Sequence, residues 1–210
     1  MSVRIALTGG IASGKSSVQA WLVSQGVPVV DADDLTHALY KTPELKAYIA
    51  QHFGWQVFED RDNEKEVNRK ALGAIVFANP EKRALLNAYI HPRVKAAADA
   101  FVSQHANQPL VVVSIPLLFE VYSLETIRER FDGVWLVVAT PEQQRRRLVD
   151  KRGLTDADAE ARLLSQWPIE QKVALLYSPW KGPRDGVIDN TGLPQAWVPE
   201  LERLMAACTP

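Results

Sequence analysis

The chain reads Gly9-Gly10-Ile11-Ala12-Ser13-Gly14-Lys15-Ser16 close to its start, and the predicted fold follows from these residues. It fits the pattern G-x-x-x-x-G-K-[ST], whose glycines let the backbone wrap closely around a polyphosphate. Apolar residues 3–7 before it predict a short buried strand, and residues 16–23 after it predict a helix. Because strand, loop and helix follow in the order that the motif requires, the stretch predicts a nucleoside-triphosphate site on an α/β fold.

Each part of this loop has an expected contact with ATP. Backbone N–H groups and the positive end of the following helix would face the phosphates. Lys15 would reach the β- and γ-phosphates, and the Ser16 hydroxyl would hold Mg²⁺. The residues predicted to contact ATP in the loop are Gly10, Ile11, Ala12, Ser13, Gly14, Lys15, Ser16 and Ser17.

Length and composition narrow the class of protein. A chain of 210 residues can bury a sizeable core, and one α/β domain with inserted helical pieces fits it well. A net charge of -1 gives no sign of a basic nucleic-acid surface. Cys208 is the single cysteine, and no apolar run approaches the ~18 residues that span a membrane. We therefore expect a cytoplasmic enzyme with no nucleic-acid or membrane partner.

Acidic residues follow the second predicted strand, at Asp31-Ala32-Asp33-Asp34. In a doubly wound sheet the carboxyl ends of the strands face the ligand, so these side chains should lie near the loop. One of them could simply cap the next helix. Three are harder to explain in that way, because clustered carboxylates repel one another unless a cation or a proton lies among them.

Residues 35–104 carry helical signals and no clear strand, which predicts a helical insert that could form a wall for a second substrate. The charged stretch 59–66 is typical of a solvated loop. His91 precedes Pro92, which should interrupt one helix and start another. Judged from the residue type and its position alone, His91 is either a packed histidine at a helix junction or a substrate ligand.

The sheet resumes with apolar runs at 110–115 and 133–138, which predict strands covered on both faces. Residues 116–120 leave the carboxyl end of the first of these strands, toward the ligand crevice. Thr140-Pro141-Glu142 then starts a helix that carries Arg145, Arg146, Arg147, Lys151 and Arg152. This basic helix is either a lid over the transferring phosphates or a salt-bridged surface helix.

Several classes of phosphate-loop protein can be separated by the remaining sequence. The guanine-reading motif N-K-x-D of GTPases is absent. Motor ATPases usually have a strand that ends in acidic residues, whereas the strand at 110–115 is followed by Pro116. Phosphoryl transfer to a small molecule is therefore the leading interpretation on chemistry alone.

Further segments match one family in order along the chain. They are Thr8-Gly9-Gly10-Ile11, Ser13-Gly14-Lys15-Ser16, Asp31-Ala32-Asp33, Phe77 to Pro80, His91-Pro92, Pro116 to Glu120, Gln144 with Arg147, Gln166, and Val187-Ile188-Asp189-Asn190. Together they resemble the dephospho-coenzyme A kinase family over nearly the whole chain.

This resemblance implies a three-layer parallel-sheet P-loop kinase fold, adenylate-kinase-like, with a helical substrate-binding insert and a helical lid. Residues 1–32, 108–140 and 185–210 would form the nucleotide-binding core, 33–107 the acceptor-binding region and 141–184 the lid. The implied reaction transfers the γ-phosphate of ATP to the ribose 3′-hydroxyl of dephospho-coenzyme A. Another small-metabolite or nucleoside kinase, a nucleotide-dependent regulatory ATPase and an arginine-helix nucleic-acid binder are the alternatives.

The resemblance also implies roles for single residues. Asp33 would accept the proton of the hydroxyl, Lys15 would hold the triphosphate, and Arg147 would meet the charge that develops on the γ-phosphoryl group. Asn190 would lie near the adenine of ATP. The acceptor would contact Asp31, His91, Leu117, Leu118 and Glu120.

The sequence departs from the family pattern at three places. Ala12 stands where glycine is usual, and its methyl group is tolerable only if the local φ is negative. Lys151-Arg152 replaces a common Arg-Asp pair, which alters the charge of the lid. The turn-rich stretch from Tyr177 to Arg184 is extra material before the last strand, and the sequence assigns it no role.

Overall fold

The computed structural model describes residues 2–61, 64–177 and 181–208. The chain divides into two compact units. The first comprises Met1–Asp31 and Val102–Pro210, and the second comprises Ala32–Phe101. The strands are β1 (Val3–Gly9), β2 (Val29–Asp31), β3 (Phe58–Arg61), β4 (Glu64–Val67), β5 (Leu110–Ser114), β6 (Gly133–Val138) and β7 (Gly186–Asp189). The helices are α1 (Lys15–Ser24), α2 (Ala32–Tyr40), α3 (Pro43–Phe53), α4 (Arg69–Ala78), α5 (Pro80–Gln104), α6 (Leu118–Val121), α7 (Leu124–Arg130), α8 (Pro141–Arg152), α9 (Asp156–Leu164), α10 (Ile169–Tyr177) and α11 (Val198–Ala206), with a 3₁₀ helix at Trp55–Val57.

The first unit contains a five-stranded sheet in the order β2-β5-β1-β6-β7, and all four neighbouring pairs are parallel. The apolar runs of β1, β5 and β6 are buried, as expected for strands covered on both faces. In the sheet, β5 lies on one side of β1 and β6 lies on the other. The loop after β1 therefore lies at the switch point of the sheet, where α/β proteins bind their ligands.

Sequence signals fix the start of the predicted lid helix. The Thr140 side chain accepts a hydrogen bond from Gln143 N–H, the Gln143 side chain accepts one from Thr140 N–H, and Pro141 occupies the first turn of α8. The helix ends at Gly153, which has φ 65°. The predicted start of this helix is confirmed, since capping depends on only a few neighbouring residues.

The extra stretch before β7 is fixed at its far end, while residues 178–180 of it lie outside the described residues. Asp185 accepts hydrogen bonds from Gly182 N–H at 2.6 Å and Val134 N–H at 2.8 Å, and it pairs with Arg128. Trp135 Nε1 donates to the Arg184 carbonyl at 3.0 Å. These contacts join the stretch to β6 and give its described part a structural role.

The second unit combines helices with a small hairpin. Apolar residues from α3, the 3₁₀ helix, α4 and α5 form its core, namely Leu45, Ile49, Phe53, Val57, Leu72, Leu86 and Ile90. The prediction of a solvated loop at 59–66 was wrong, because β3 and β4 pair antiparallel, with Phe58 opposite Val67. The charged residues between them hid the short strands, and residues 62–63 lie outside the described part.

The predicted interruption at Pro92 was also wrong. Helix α5 continues from Pro80 to Gln104 with Pro92 inside it. A proline removes one backbone hydrogen bond and crowds the preceding turn, but it does not forbid a helix that packing holds on both sides. Leu86 and Ile90 before it and Ala98 after it are buried. Among the described helices, none is long and apolar enough to cross a membrane.

Candidate active site

The phosphate loop runs from the end of β1 to the start of α1. Gly14 has φ 100°, and a side chain there would collide with the Asn190 carboxamide. Glycine is required at this position on both counts. In the described part of the chain, the N–H groups of Gly14, Lys15 and Ser16 donate to no protein acceptor. Consecutive N–H groups without acceptors at a helix start form an anion-binding site.

Ala12 adopts a left-handed backbone with φ 55°. The condition under which alanine would be tolerated at this position, a negative φ, is therefore not met. The loop keeps the turn that glycine would make, and the Ala12 methyl group is accommodated at an energetic cost of about 1–2 kcal/mol.

Side chains from distant parts of the first unit hold the loop in this conformation. Gln144 donates to the Ile11 carbonyl at 2.7 Å, and the Ile11 N–H donates to Gln166 at 2.8 Å. Both glutamines belong to the family pattern, although no role was predicted for them. They fix the peptide that immediately precedes the strained Ala12.

Arg147 and Asn190 hold the next two peptides of the loop. Arg147 Nη1 donates to the carbonyls of Ala12 and Ser13, each at 3.0 Å, and Nη2 donates to the Asn190 carbonyl at 3.3 Å. The Asn190 side chain donates to the Ser13 carbonyl at 2.7 Å. The structure thus brings both predicted ligands of ATP, Arg147 and Asn190, to the loop, where they bind its outward-facing carbonyls.

Lys15 contacts a buried polar cluster at the carboxyl ends of β2 and β5. Its Nζ lies 2.9 Å from Asp31 Oδ2 and also donates to Ser114 Oγ. The same Asp31 oxygen accepts hydrogen bonds from Ser114 at 2.8 Å and Gln19 at 2.6 Å. The side chains of Lys15 and Asp31 are 14% and 15% exposed.

This cluster keeps Asp31 ionised. Burial disfavours the charged carboxylate, but the Lys15 ammonium and the hydrogen bonds from Lys15, Ser114 and Gln19 together outweigh burial and lower the pKa of Asp31. Ser114 and Gln19 were not identified from the sequence. Ser114 could have been noticed as the polar residue within the apolar run of β5.

The turn after β5 separates the predicted acceptor residues. Leu118 is fully buried, whereas Leu117 is 38% exposed. Glu120 Oε1 pairs with Lys172 Nζ at 2.6 Å, and the Lys172 side chain is only 2% exposed. Trp167 N–H donates to the same oxygen at 3.3 Å. The Lys172 partner was not predicted, because a lysine on a helix is usually exposed.

The other two predicted acceptor-side residues belong to the second unit. Asp33 lies in the first turn of α2 and is exposed. His91 lies in α5 and is exposed too. Within the described residues, no group of three or more His, Cys, Asp or Glu side chains is arranged to hold a metal ion.

Comparison with known proteins identifies one family that this chain resembles. The model of a family described as dephospho-CoA kinase matches residues 3–191. The dephospho-CoA kinase of Synechococcus sp. (strain CC9605) is 41% identical over 203 residues, which cover 96% of this chain and 91% of that protein. The dephospho-CoA kinase of Anaeromyxobacter dehalogenans (strain 2CP-C) is 42% identical over 206 residues, which cover 96% and 90%.

Solved structures show the same likeness over the full length. TT1252 from Thermus thermophilus matches with a TM-score of 0.79 and 32% identity, covering 100% of this chain and 99% of its own. Dephospho-CoA kinase from Campylobacter jejuni matches with a TM-score of 0.66 and 25% identity, covering 98% and 96%. Together with the parallel sheet, these likenesses confirm the predicted P-loop kinase fold.

Proposed function

The chain belongs to the dephospho-CoA kinase family, and from this membership we propose how its own residues carry out the reaction. The enzyme transfers the γ-phosphate of ATP to the ribose 3′-hydroxyl of dephospho-CoA, which gives coenzyme A in the last step of its biosynthesis. Phosphoryl transfer leaves little covalent work for a protein, so positioning and charge neutralisation dominate.

One observation carries the assignment of the ATP site. Gly14, Lys15 and Ser16 present successive N–H groups without acceptors at the start of α1, and the loop carbonyls are held away by other side chains. The positive end of α1 and the Lys15 ammonium add charge at the same place. This arrangement supports binding of the triphosphate by the loop, with Lys15 at the β- and γ-phosphates.

Mg²⁺ is the metal that this site fits. The exposed Ser16 hydroxyl lies in the first turn of α1 and offers one oxygen ligand beside the phosphate position. A Mg²⁺ ion held by Ser16 would supply positive charge that neutralises the phosphates. Ser16 is therefore our candidate metal ligand.

Asp33 is our candidate for the general base. Asp31 is a poor alternative, because its Oδ2 already accepts hydrogen bonds from Lys15, Ser114 and Gln19, and its pKa is lowered. A carboxylate with a lowered pKa is a weaker proton acceptor. Asp31 would instead orient Lys15, and Asp33, exposed at the start of α2, would take the proton of the 3′-hydroxyl.

The remaining contacts divide between the two substrates. Arg147, which donates to the carbonyls of Ala12 and Ser13, would stabilise the negative charge on the γ-phosphoryl group. Asn190 binds the Ser13 carbonyl and would also lie near the adenine of ATP. On the acceptor side we keep His91 and the turn after β5, with Leu117, Leu118 and Glu120. We also propose a cytoplasmic location, where the lone Cys208 would stay reduced.

The test is incubation with Mg-ATP and dephospho-CoA, followed by mass spectrometry and ³¹P NMR of the product. We expect a 3′-phosphorylated product, and none from an acceptor that lacks the 3′-hydroxyl. ATP loss without a phosphorylated acceptor would favour a regulatory ATPase. Phosphorylation of another acceptor from a metabolite panel, but not of dephospho-CoA, would favour a different small-molecule kinase.

A further inference from the structure

Ile11 is held on both sides by side-chain carboxamides. Its N–H donates to Gln166 Oε1 at 2.8 Å, and its carbonyl accepts from Gln144 Nε2 at 2.7 Å. A backbone N–H can only donate and a carbonyl can only accept, so Gln144 has to present its NH₂ group and Gln166 its oxygen. The two glutamines therefore perform opposite tasks at a single residue of the phosphate loop.

Gly10 lies against both carboxamides. A methyl group at Gly10 would lie 2.7 Å from Gln144 Nε2 and 3.5 Å from Gln166 Oε1. The first distance is too short for a contact, so the Gln144 carboxamide would have to move and would lose its place at the Ile11 carbonyl. The loop pattern leaves this position open to any residue. The contact with Gln144 gives a physical reason for glycine here.

The residue that follows Ile11 is the one that most needs support. Ala12 has φ 55°, a left-handed conformation that alanine disfavours. Its local preference would move the loop out of this conformation, and with it the N–H groups of residues 14–16 that face the phosphate position. The hydrogen bonds to Ile11 oppose that movement, because they fix the two peptide groups that lead into Ala12.

Gln166 lies in the linker between α9 and α10, and its neighbours anchor this linker. Trp167 N–H donates to Glu120 Oε1 at 3.3 Å, and Lys172 Nζ lies 2.6 Å from the same oxygen. The Lys172 side chain is buried, so water does not screen this ion pair. The linker is therefore tied to α6 on one side of Gln166, while Gln166 itself reaches the loop.

We propose that Gln144 and Gln166 are positioning residues that hold the phosphate loop in its ATP-binding conformation before the nucleotide arrives. The proposal rests on the proposed function in one respect, that this loop binds the triphosphate. Both glutamines act through Ile11 and not by contact with ATP. Apparent affinity falls in proportion to the fraction of molecules in the binding conformation, so loss of this support weakens ATP binding.

The test replaces one carboxamide at a time by a carboxylate and measures the Kd of Mg-ATP by calorimetric titration. Gln144→Glu puts an oxygen in place of the NH₂ group that faces the Ile11 carbonyl, whereas Gln166→Glu keeps an oxygen for the Ile11 N–H. Both variants add the same negative charge beside the same residue, so the difference between them reports the polarity of the hydrogen bonds. We expect Gln144→Glu to raise Kd at least about tenfold more than Gln166→Glu does.

The control is Gln171→Glu, which adds the same charge at an exposed position on α10. Its Kd for Mg-ATP should remain near wild type. In steady-state assays at saturating ATP, KM for dephospho-CoA should stay near wild type in all three variants. A merely structural role of Gln144 would instead weaken the binding of both substrates together.

Gly10→Ala reaches the same hydrogen bond by a second route. Its methyl group would displace the Gln144 carboxamide, so this variant should weaken ATP binding in the wild-type chain. In a Gln144→Met background, where that hydrogen bond is already lost, Gly10→Ala should add little. Full additivity of the two changes would contradict the proposed link between Gly10 and Gln144.

Equal Kd values for Gln144→Glu and Gln166→Glu would overturn the proposal, as would parallel losses for ATP and dephospho-CoA. If the wild-type protein binds Mg-ATP but forms no product, the proposed kinase function fails. The ATP titrations need no acceptor, so they still decide the role of the two glutamines in that case.

Discussion

Replacing Ala12 by glycine should stabilise the protein, although most glycine substitutions do the opposite. Ala12 has φ 55°, a left-handed conformation that costs a non-glycine residue about 1–2 kcal/mol. Glycine would remove that cost but would also give the unfolded chain more freedom, which offsets about 0.4–1 kcal/mol. The difference is a gain of roughly 0.5–1 kcal/mol in the free energy of unfolding.

Thermal denaturation measures this gain directly. For a chain of this length, 1 kcal/mol corresponds to about 2–4 °C, so Tm should rise by roughly 1–4 °C. The control is Ala20→Gly in the exposed part of α1, where the same chemical change should lower the stability by about 1 kcal/mol. If Ala12→Gly lowers Tm as Ala20→Gly does, the left-handed conformation of Ala12 is not strained.

Three further predictions concern the loop and its supports. Lys15→Ala should nearly abolish turnover in a steady-state assay, because it removes the positive charge of Lys15 beside the β- and γ-phosphates. A wild-type rate would reject the loop assignment. Arg147→Ala should reduce kcat/KM more than Arg145→Ala does, since Arg147 holds two loop carbonyls whereas Arg145 pairs with the exposed Asp156; equal losses would mean that the other face of α8 matters. The pKa of Asp31 is lowered by folding, so its ionised form stabilises the protein above about pH 4, and this contribution is lost as the pH falls through the folded pKa. Tm of Asp31→Asn should therefore be below wild type at pH 7, with a smaller difference near pH 3; a constant difference would contradict the pKa assignment.

The features predicted correctly from the sequence are those that depend on neighbouring residues. The phosphate loop, the buried strands of the sheet and the capped start of α8 each follow from a short pattern. The φ of Ala12 did not follow, because distant side chains such as Gln144 and Arg147 hold the loop in a conformation that alanine alone disfavours.

The features that were missed depend on contacts between distant segments. Charged residues at 59–66 resemble a loop, yet Phe58 and Val67 pair across a β-hairpin. Lys172 looks like a surface lysine, but its partner Glu120 is more than 50 residues away and buries it. The periodicity of a single segment contains no information about such partners.

Asp33 is the proposed acceptor of the 3′-hydroxyl proton, and a kinetic comparison of Asp33→Asn with Asp34→Asn tests this role. Both residues are exposed acids in the first turn of α2, so each variant removes one negative charge from the start of this helix. We predict that Asp33→Asn lowers kcat by about 10²-fold or more while ATP binding stays measurable, and that Asp34→Asn remains near wild type. A loss confined to ATP affinity in Asp33→Asn, or equal loss of kcat in both variants, would contradict the assignment of Asp33 as the base.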